Sequence, residues 1–252
     1  MTTGFGIDVG GSGIKGGPVD LTTGALLTER VRIETPKPAT PEAVVDVVAE
    51  VLGDHDGPFG MTLPAVVVGG TALTAANIDE AWIGTDVAAL VKERTGRTAV
   101  VVNDADAAGV AEVQFGAARG VQGTVLLLTL GTGIGSALFL DGRLVPNTEL
   151  GHLELGGHEA EKRASDAARK SQDMSWEKWA KRLTAYLSHV DLLLRPDLVV
   201  LGGGVSKKSD SWLHLLEVRP PVVTAGLLND AGIVGAAVLA AEPARAPQTT
   251  GS

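Results

Sequence analysis

The sequence predicts an α/β fold of two similar domains that face each other across a cleft. A unit of strand, glycine turn, returning strand and reverse turn occurs twice, as GIDVGGSGIKGGPVDLTTGAL and as VLLLTLGTGIGSALFLDGRL, Val125 to Leu144. Helical segments separate the copies, which argues against an all-β protein of repeated hairpins. With 252 residues and 44% hydrophobic content, the chain can bury the core of one large or two small domains.

The first copy begins an N-terminal meander, with strands predicted at about 5–9, 14–19 and 25–33. Thr40 and Pro41 have the residue types that open a helix, which continues through Val51 and stops at Gly53.

A strand near 59–69 follows, then a helix from Asp86 to Arg94 with Thr85 as its cap and Gly96 behind it. Val100 to Val102 is a short buried strand, and another helix begins near Asp104.

The second half repeats the meander and then inserts a long polar helical region at about 159–194. DLVVLGGGVS, from Asp197, is a strand that ends in glycines, and an apolar helix follows at about 230–241. We therefore predict a first domain over 1–103, a second over 104–229, a closing helix that can pack back on the first, and a disordered tail over 242–252.

Composition excludes several classes of protein. The chain has no cysteine, so disulfides and cysteine–zinc sites are ruled out. A net charge of −9 and 4% aromatic residues disfavour nucleic acid as a partner. The first strand leaves no room for a signal peptide, and no apolar run approaches the roughly 18 residues of a membrane span. We expect a cytoplasmic protein that binds neither membrane nor nucleic acid.

The segment Phe5 to Gly17 has the layout of a phosphate-binding turn. Its glycines allow main-chain N–H groups to face an anion, Ser12 adds a hydroxyl and Lys15 a charge. Asp8, at the end of the strand, could bind Mg²⁺ through water. A plain hairpin is the alternative for an isolated match, and the GxGxxG and Walker patterns are both absent.

A second group of polar residues follows the buried strand in VVVNDADAAG. Asp104 could take the proton from a sugar hydroxyl that attacks phosphorus, while Asn103 holds a neighbouring hydroxyl. The alternative is that Asn103 and Asp104 only cap a helix.

A third group lies in PNTELGHLELGGHEAEKRAS, where Glu149, His152 and Glu161 could converge on the hydroxyls of a hexose. Histidines and carboxylates also form zinc sites, and the candidate ligands in this segment are His152, His158, Glu149 and Glu154. The spacing matches no HExxH helix and no thiol is present, so we predict no zinc. Glu154 and Glu159 are interpreted as surface acids.

The chain's layout resembles the actin, hexokinase and Hsp70 superfamily, a two-domain actin-like ATPase fold built from a duplicated ribonuclease H-like unit with a central cleft. DVGGSGIKGG, NDADAAG, LTLGTGIG, ELGH and LGGGVS are similar to the successive motifs of the ROK sugar kinases, in the same order over nearly the whole chain. TAANIDEAWIGT and NTELGHLELGG are similar to the actinobacterial branch that phosphorylates glucose with polyphosphate.

This resemblance implies a glucokinase that uses Mg²⁺, takes its phosphoryl group from polyphosphate or ATP, and forms a homodimer. It implies Asp104 as general base, and as glucose contacts Asn77, Asn103, Asp104, Glu149, His152 and Glu161. Residues implied to hold the phosphoryl donor are Asp8, Gly10, Gly11, Ser12, Gly13, Lys15, Thr129, Gly131, Thr132, Gly133, Gly202, Gly203 and Gly204. An ATP-dependent hexokinase or mannokinase and a non-catalytic sugar-binding regulator are the alternatives.

The chain departs from the wider family where GGHEAEKRAS replaces a cysteine-rich zinc loop. A polyanion also needs local positive charge on a protein of net charge −9. Seven of the 21 Lys and Arg residues fall between 162 and 182, and Lys207 and Lys208 follow the last glycine loop. We predict that Lys162, Arg163, Lys207 and Lys208 line the path of the polymer. A solvated helix face is the alternative.

Overall fold

The structure is a computed structural model, which describes residues 2–75 and 78–242. The structure contains two five-stranded sheets with the same topology. The first contains β3 (Val31–Ile33), β2 (Gly13–Asp20), β1 (Thr3–Gly10), β4 (Phe59–Leu63) and β7 (Ala99–Asn103). The second contains β10 (Arg143–Val145), β9 (Ile134–Leu140), β8 (Thr124–Leu130), β13 (Leu198–Gly202) and β14 (Val222–Thr224). In each, an antiparallel meander is followed by two parallel strands, so the duplication predicted from the two glycine turns is confirmed.

Helices cover both sheets. They are α1 (Pro41–Leu52), α2 (Val87–Thr95), α3 (Asp104–Phe115), α4 (Glu161–Ala164), α5 (Asp166–Ser171), α6 (Trp176–Leu194) and α7 (Ala231–Ala241). Helices α1 and α2 pack on the outer face of the first sheet, and helices α4 to α6 share a hydrophobic core with the second sheet. Two short hairpins complete the fold: β5 (Val67–Val68) with β6 (Thr71–Ala72), and β11 (Glu154–Leu155) with β12 (His158–Glu159).

Helices α3 and α7 lie side by side between the two sheets. Glycines permit the close approach. A Cβ on Gly6 or Gly60 would overlap a carbonyl oxygen of α7, and one on Gly235 would overlap the carbonyl oxygen of Ala107 in α3. The predicted closing helix therefore packs on β1 and β4, and the predicted division after residue 103 falls between β7 and α3.

Several predicted elements are shorter in the structure. The strand expected at 25–33 pairs regularly only over Val31–Ile33, with a single bridge at Leu26. The strand expected at 59–69 stops at Leu63, because Pro64 has no N–H to continue the ladder. The predicted helix cap Thr85 is also wrong, since Asp86 accepts the hydrogen bond from the N–H of Ala89 at 2.9 Å.

The region predicted as helical over 159–194 is not one helix. Residue 159 ends the hairpin strand β12, and three helices follow. Ser165 and Ser175 interrupt them because each hydroxyl accepts from a backbone N–H three residues later and starts a new helix. The predicted disordered tail lies outside the described residues from 243 onward. Among the described helices, none combines the length and apolar character needed to cross a bilayer.

Candidate active site

The first glycine turn joins β1 to β2 and carries a fixed carboxylate. Asp8 and Lys15 are directly opposite in the antiparallel register, and the Lys15 Nζ donates to Asp8 Oδ2 at 3.1 Å. The hydroxyl of Thr62, on β4, donates to Asp8 Oδ1 at 3.0 Å and accepts from the N–H of Val9. Thr62 was not among the residues predicted from the sequence. It could have been selected, because it is the only residue with a polar side chain in the buried strand FGMTL.

The second group lies where β7 ends and α3 begins. Asn103 Oδ1 accepts from the N–H groups of Ala105 and Asp106 at 2.9 and 3.0 Å, so Asn103 does cap the helix. Its Nδ2 donates one hydrogen to the carbonyl oxygen of Ala65 and keeps a second for a ligand. Asp104 is the first helical residue and is partly buried. The capping alternative thus describes Asn103, whereas Asp104 faces open space.

The third group is assembled around the second glycine turn, between β8 and β9. Glu161, at the start of α4, accepts from the N–H of Ile134 at 3.1 Å. The carbonyl oxygen of Gly131 accepts from the N–H of Ala167 in α5 at 3.0 Å. The short helices of the insertion therefore bring Glu161 to the turn, although 27 residues separate it from Ile134.

His152 ends a short 3₁₀ turn over Leu150–His152, and Glu149 is the residue directly before this turn. Three hydrogen bonds position this turn: Ser136 Oγ donates to the carbonyl oxygen of Thr148 and accepts from the N–H of Leu150, and the Tyr186 hydroxyl donates to the carbonyl oxygen of Leu150. His152 Nε2 lies 3.7 Å from Glu149 Oε2, so the two polar groups are presented together.

These groups surround two adjoining cavities. The first, of about 260 Å³, is lined by Asn103, Glu149, His152, Glu161 and both glycine turns. The second, of about 200 Å³, is lined by Asp8, Lys15, Gly202, Gly203 and the start of α7. Asp104 and Thr129 line both, so one carboxylate faces two binding spaces. A larger groove of about 610 Å³ between β7 and β10 is mainly aliphatic and does not include these groups, apart from Asn103.

The third glycine loop follows β13. Gly203 has φ of 85°, and a Cβ at that position would overlap the main chain of Leu130. A side chain is therefore excluded for both conformational and steric reasons. The loop thus presents only main chain to the second cavity.

Burial and like charges alter the acidity of the carboxyl groups here. Burial, reinforced by the charges of Asp8 and Glu149, raises the pKa of Asp104 to about 7. Burial likewise raises the pKa of Asp106 to about 6, while the Asn147 N–H bonded to it opposes the shift. The pKa of Glu149 is raised by partial burial, against the effect of His152. Asp104 thus has the acidity of a general base for neutral pH.

One group of side chains has the composition of a cation site. The ligand atoms of His152, Glu159 and Glu161 lie within 4.8 Å of one another. Glu159 approaches His152 Nδ1 at 3.5 Å and also forms an ion pair with Lys162. Glu159 therefore contacts His152, which lines the first cavity, although Glu159 itself lines neither cavity. His158 and Glu154, which the sequence offered as alternative ligands, do not join this group.

Not every predicted residue reaches a cavity. Ser12 and Gly13 lie in the first turn but line neither space, and Gly204 follows the third loop outside the second cavity. The predicted basic track also lies outside both cavities, and it consists of Lys162, Arg163, Lys207 and Lys208. Asn77 lies outside the described residues.

A carboxylate that faces two cavities, three glycine turns and two sheets of like topology are the arrangement of a phosphotransferase with an actin-like fold. Residues 4–165 match the sequence profile of the ROK family. The chain belongs to the ROK family, which confirms the resemblance and the fold class predicted from the sequence.

Individual proteins similar to this chain are named as kinases of glucose or mannose. The chain is 52% identical to a polyphosphate glucokinase of Mycobacterium tuberculosis, over 93% of this chain and 90% of the relative. The structure superposes on a polyphosphate/ATP-glucomannokinase from Arthrobacter sp. strain KM with a TM-score of 0.92, 50% identity and coverage of 96% and 99%. A ROK family glucokinase from Streptomyces griseus in complex with glucose and AMPPNP gives a TM-score of 0.79 at 26% identity, with coverage of 95% and 99%.

Proposed function

We propose that this protein transfers the terminal phosphoryl group of inorganic polyphosphate, and of ATP, to the 6-hydroxyl of glucose. The observation that carries the proposal is Asp104, a carboxylate with a pKa of about 7 that faces both cavities at their junction. Relatives named as polyphosphate glucokinase and polyphosphate/ATP-glucomannokinase support the choice of donor and sugar.

In this mechanism glucose occupies the 260 Å³ cavity. The glucose hydroxyls bind Asn103, Glu149, His152 and Glu161, and Asn77 is a further contact proposed from the sequence alone. Asp104 accepts the proton of the 6-hydroxyl as the glucose oxygen forms its bond to the terminal phosphorus. The bond from that phosphorus to the bridging oxygen breaks, and the donor leaves one phosphate shorter. The two domains enclose the reacting atoms and keep out water, which would otherwise accept the phosphoryl group.

The donor occupies the 200 Å³ cavity and the adjoining turns. Main-chain N–H groups of the glycine turns and the ammonium of Lys15 stabilise its terminal phosphates. Asp8 is suited to Mg²⁺, because its carboxylate lies at this cavity near Asp104 and hard oxygen ligands suit that ion. Mg²⁺ held there with water would offset charge on the phosphates. The family also suggests a homodimer, which stays a prediction.

The direct test supplies glucose and Mg²⁺ with either nucleotide-free polyphosphate or ATP, and measures glucose 6-phosphate. We expect product with polyphosphate alone. Activity with ATP only would contradict the polyphosphate assignment and leave an ATP-dependent hexokinase. Glucose binding without turnover on either donor would instead indicate a sugar-binding regulator.

The acidity of Asp104 predicts the pH dependence of the reaction. Since a general base must be deprotonated, kcat/KM for glucose should rise as pH increases through about 7 and then level off. The measurement is a pH–rate profile from about pH 5.5 to 8.5 at saturating donor, and the Asp104→Asn variant is the control. A wild-type profile with no inflection in this range would argue against Asp104 as the base.

A further inference from the structure

The first sheet carries a row of polar side chains that extends beyond the donor cavity. In the strand registers, Asp8 on β1 is opposite Lys15 on β2, and Lys15 is opposite Arg32 on β3. Directly opposed residues project from the same face of a sheet. The row therefore begins in the 200 Å³ cavity, where Asp8 and Lys15 are found, and ends at Arg32 on the edge strand.

Arg32 covers the outer side of the first glycine turn. Its Nη2 donates to the carbonyl oxygen of Ser12 at 3.0 Å, and a Cβ on Gly13 would lie 2.9 Å from its Nε. Arg32 is exposed, so the guanidinium remains open to a ligand on its other side.

The charge of Arg32 is also available for a ligand. Within residues 2–75 and 78–242 no carboxylate lies within ion-pair distance of Arg32, whereas the neighbouring Arg30 is paired with Asp230. One hydrogen bond uses one of five guanidinium N–H donors, so four remain in a fixed planar arrangement that suits phosphate oxygens.

The position of Arg32 separates the two classes of donor. A nucleotide ends after at most three phosphates, while a polymer continues as a chain of anionic units that can extend past the donor cavity to the edge of the sheet. We propose that Arg32 is a binding subsite for the phosphates of polyphosphate that extend beyond the donor cavity, along the edge of the first sheet. This rests on the proposed function, and it adds a cation that the sequence-predicted track of Lys162, Arg163, Lys207 and Lys208 does not include.

The test compares Arg32→Gln with wild type on three donors: long-chain polyphosphate, inorganic triphosphate and ATP. We expect KM for long-chain polyphosphate to rise about tenfold, as loss of a charge-assisted contact would cause. KM for triphosphate, ATP and glucose should change less than about twofold, and kcat should be retained. The plot of log KM for the polymer against log salt concentration should lose about one unit of slope, as when one phosphate contact is removed from a polyanion complex.

Two further variants separate binding from structure. Arg119→Ala removes the same charge beyond the far end of α3 and should leave all three donors unchanged. Arg32→Lys keeps the charge without the planar fork and should recover most of the salt dependence. A similar rise in KM for ATP and polymer in Arg32→Gln would overturn the proposal, because it would assign Arg32 to the structure of the turn. If wild type shows no turnover with any polyphosphate, it is the proposed function that fails.

Discussion

Asp104→Asn should lower kcat by about 10²–10⁴-fold with polyphosphate and with ATP, because asparagine cannot accept the proton of the attacking hydroxyl. Asn is nearly isosteric with Asp and can keep the hydrogen bond from the N–H of Ala105, so helix α3 should still begin at this residue. The dissociation constant for glucose should change only a few-fold. Steady-state kinetics with both donors and calorimetric titration of glucose provide the measurements.

The same variant should be more stable than wild type at alkaline pH. The folded state raises the pKa of Asp104 from 3.8 to about 7, so it binds the proton more strongly than the unfolded chain. The favourable contribution of the protonated group is complete below about pH 4 and is lost as pH rises through 7. Asn, which cannot ionise, should raise the unfolding free energy by about 1–3 kcal/mol at pH 8 and by little at pH 4. Activity near wild type together with unchanged stability would contradict the assignment of Asp104.

Gly235→Ala should destabilise the protein strongly, because the added methyl group meets the carbonyl of Ala107 where α7 crosses α3. In an open helix this substitution would stabilise by about 1 kcal/mol. Here the overlap is with main-chain atoms, which cannot rotate away as a side chain would. We expect a net loss of about 3–5 kcal/mol, which corresponds to a decrease in Tm of roughly 10 °C for a chain of this size.

The control for this prediction is Gly17→Ala, since a Cβ there would meet Leu26 and Arg30 only at 3.6 and 3.7 Å, ordinary contact distances. Thermal unfolding of both variants should separate them clearly. Equal Tm values would show that the two central helices are free to move apart. Activity should fall with stability in Gly235→Ala, because α3 carries Asp104 at its first residue.

Local sequence was informative wherever one short segment contained both the strand and its turn. The repeated glycine turn predicted two domains of like topology, and both sheets have the order that this duplication requires. Element ends were predicted less well, because Pro64, Asp86 and Ser165 set those ends through a missing N–H or a capping hydrogen bond. Such effects depend on single atoms rather than on hydrophobic periodicity.

For the candidate active site, too, some properties followed from the sequence and others only from the tertiary structure. The residue types, the ROK resemblance and the position of Asp104 directly after a strand came from the sequence alone. The strand itself, β7, was predicted to be buried, but it lies at the sheet edge with Val100 exposed. Only the tertiary structure decided that Asp104 faces two cavities and that the side-chain oxygen of Asn103 caps helix α3. It also brought the hydroxyl of Thr62 to Asp8 and placed Arg32 opposite Lys15 in the first sheet. The physical reason is that strand order, register and helix packing join groups far apart in the chain, and burial at those junctions sets their acidity.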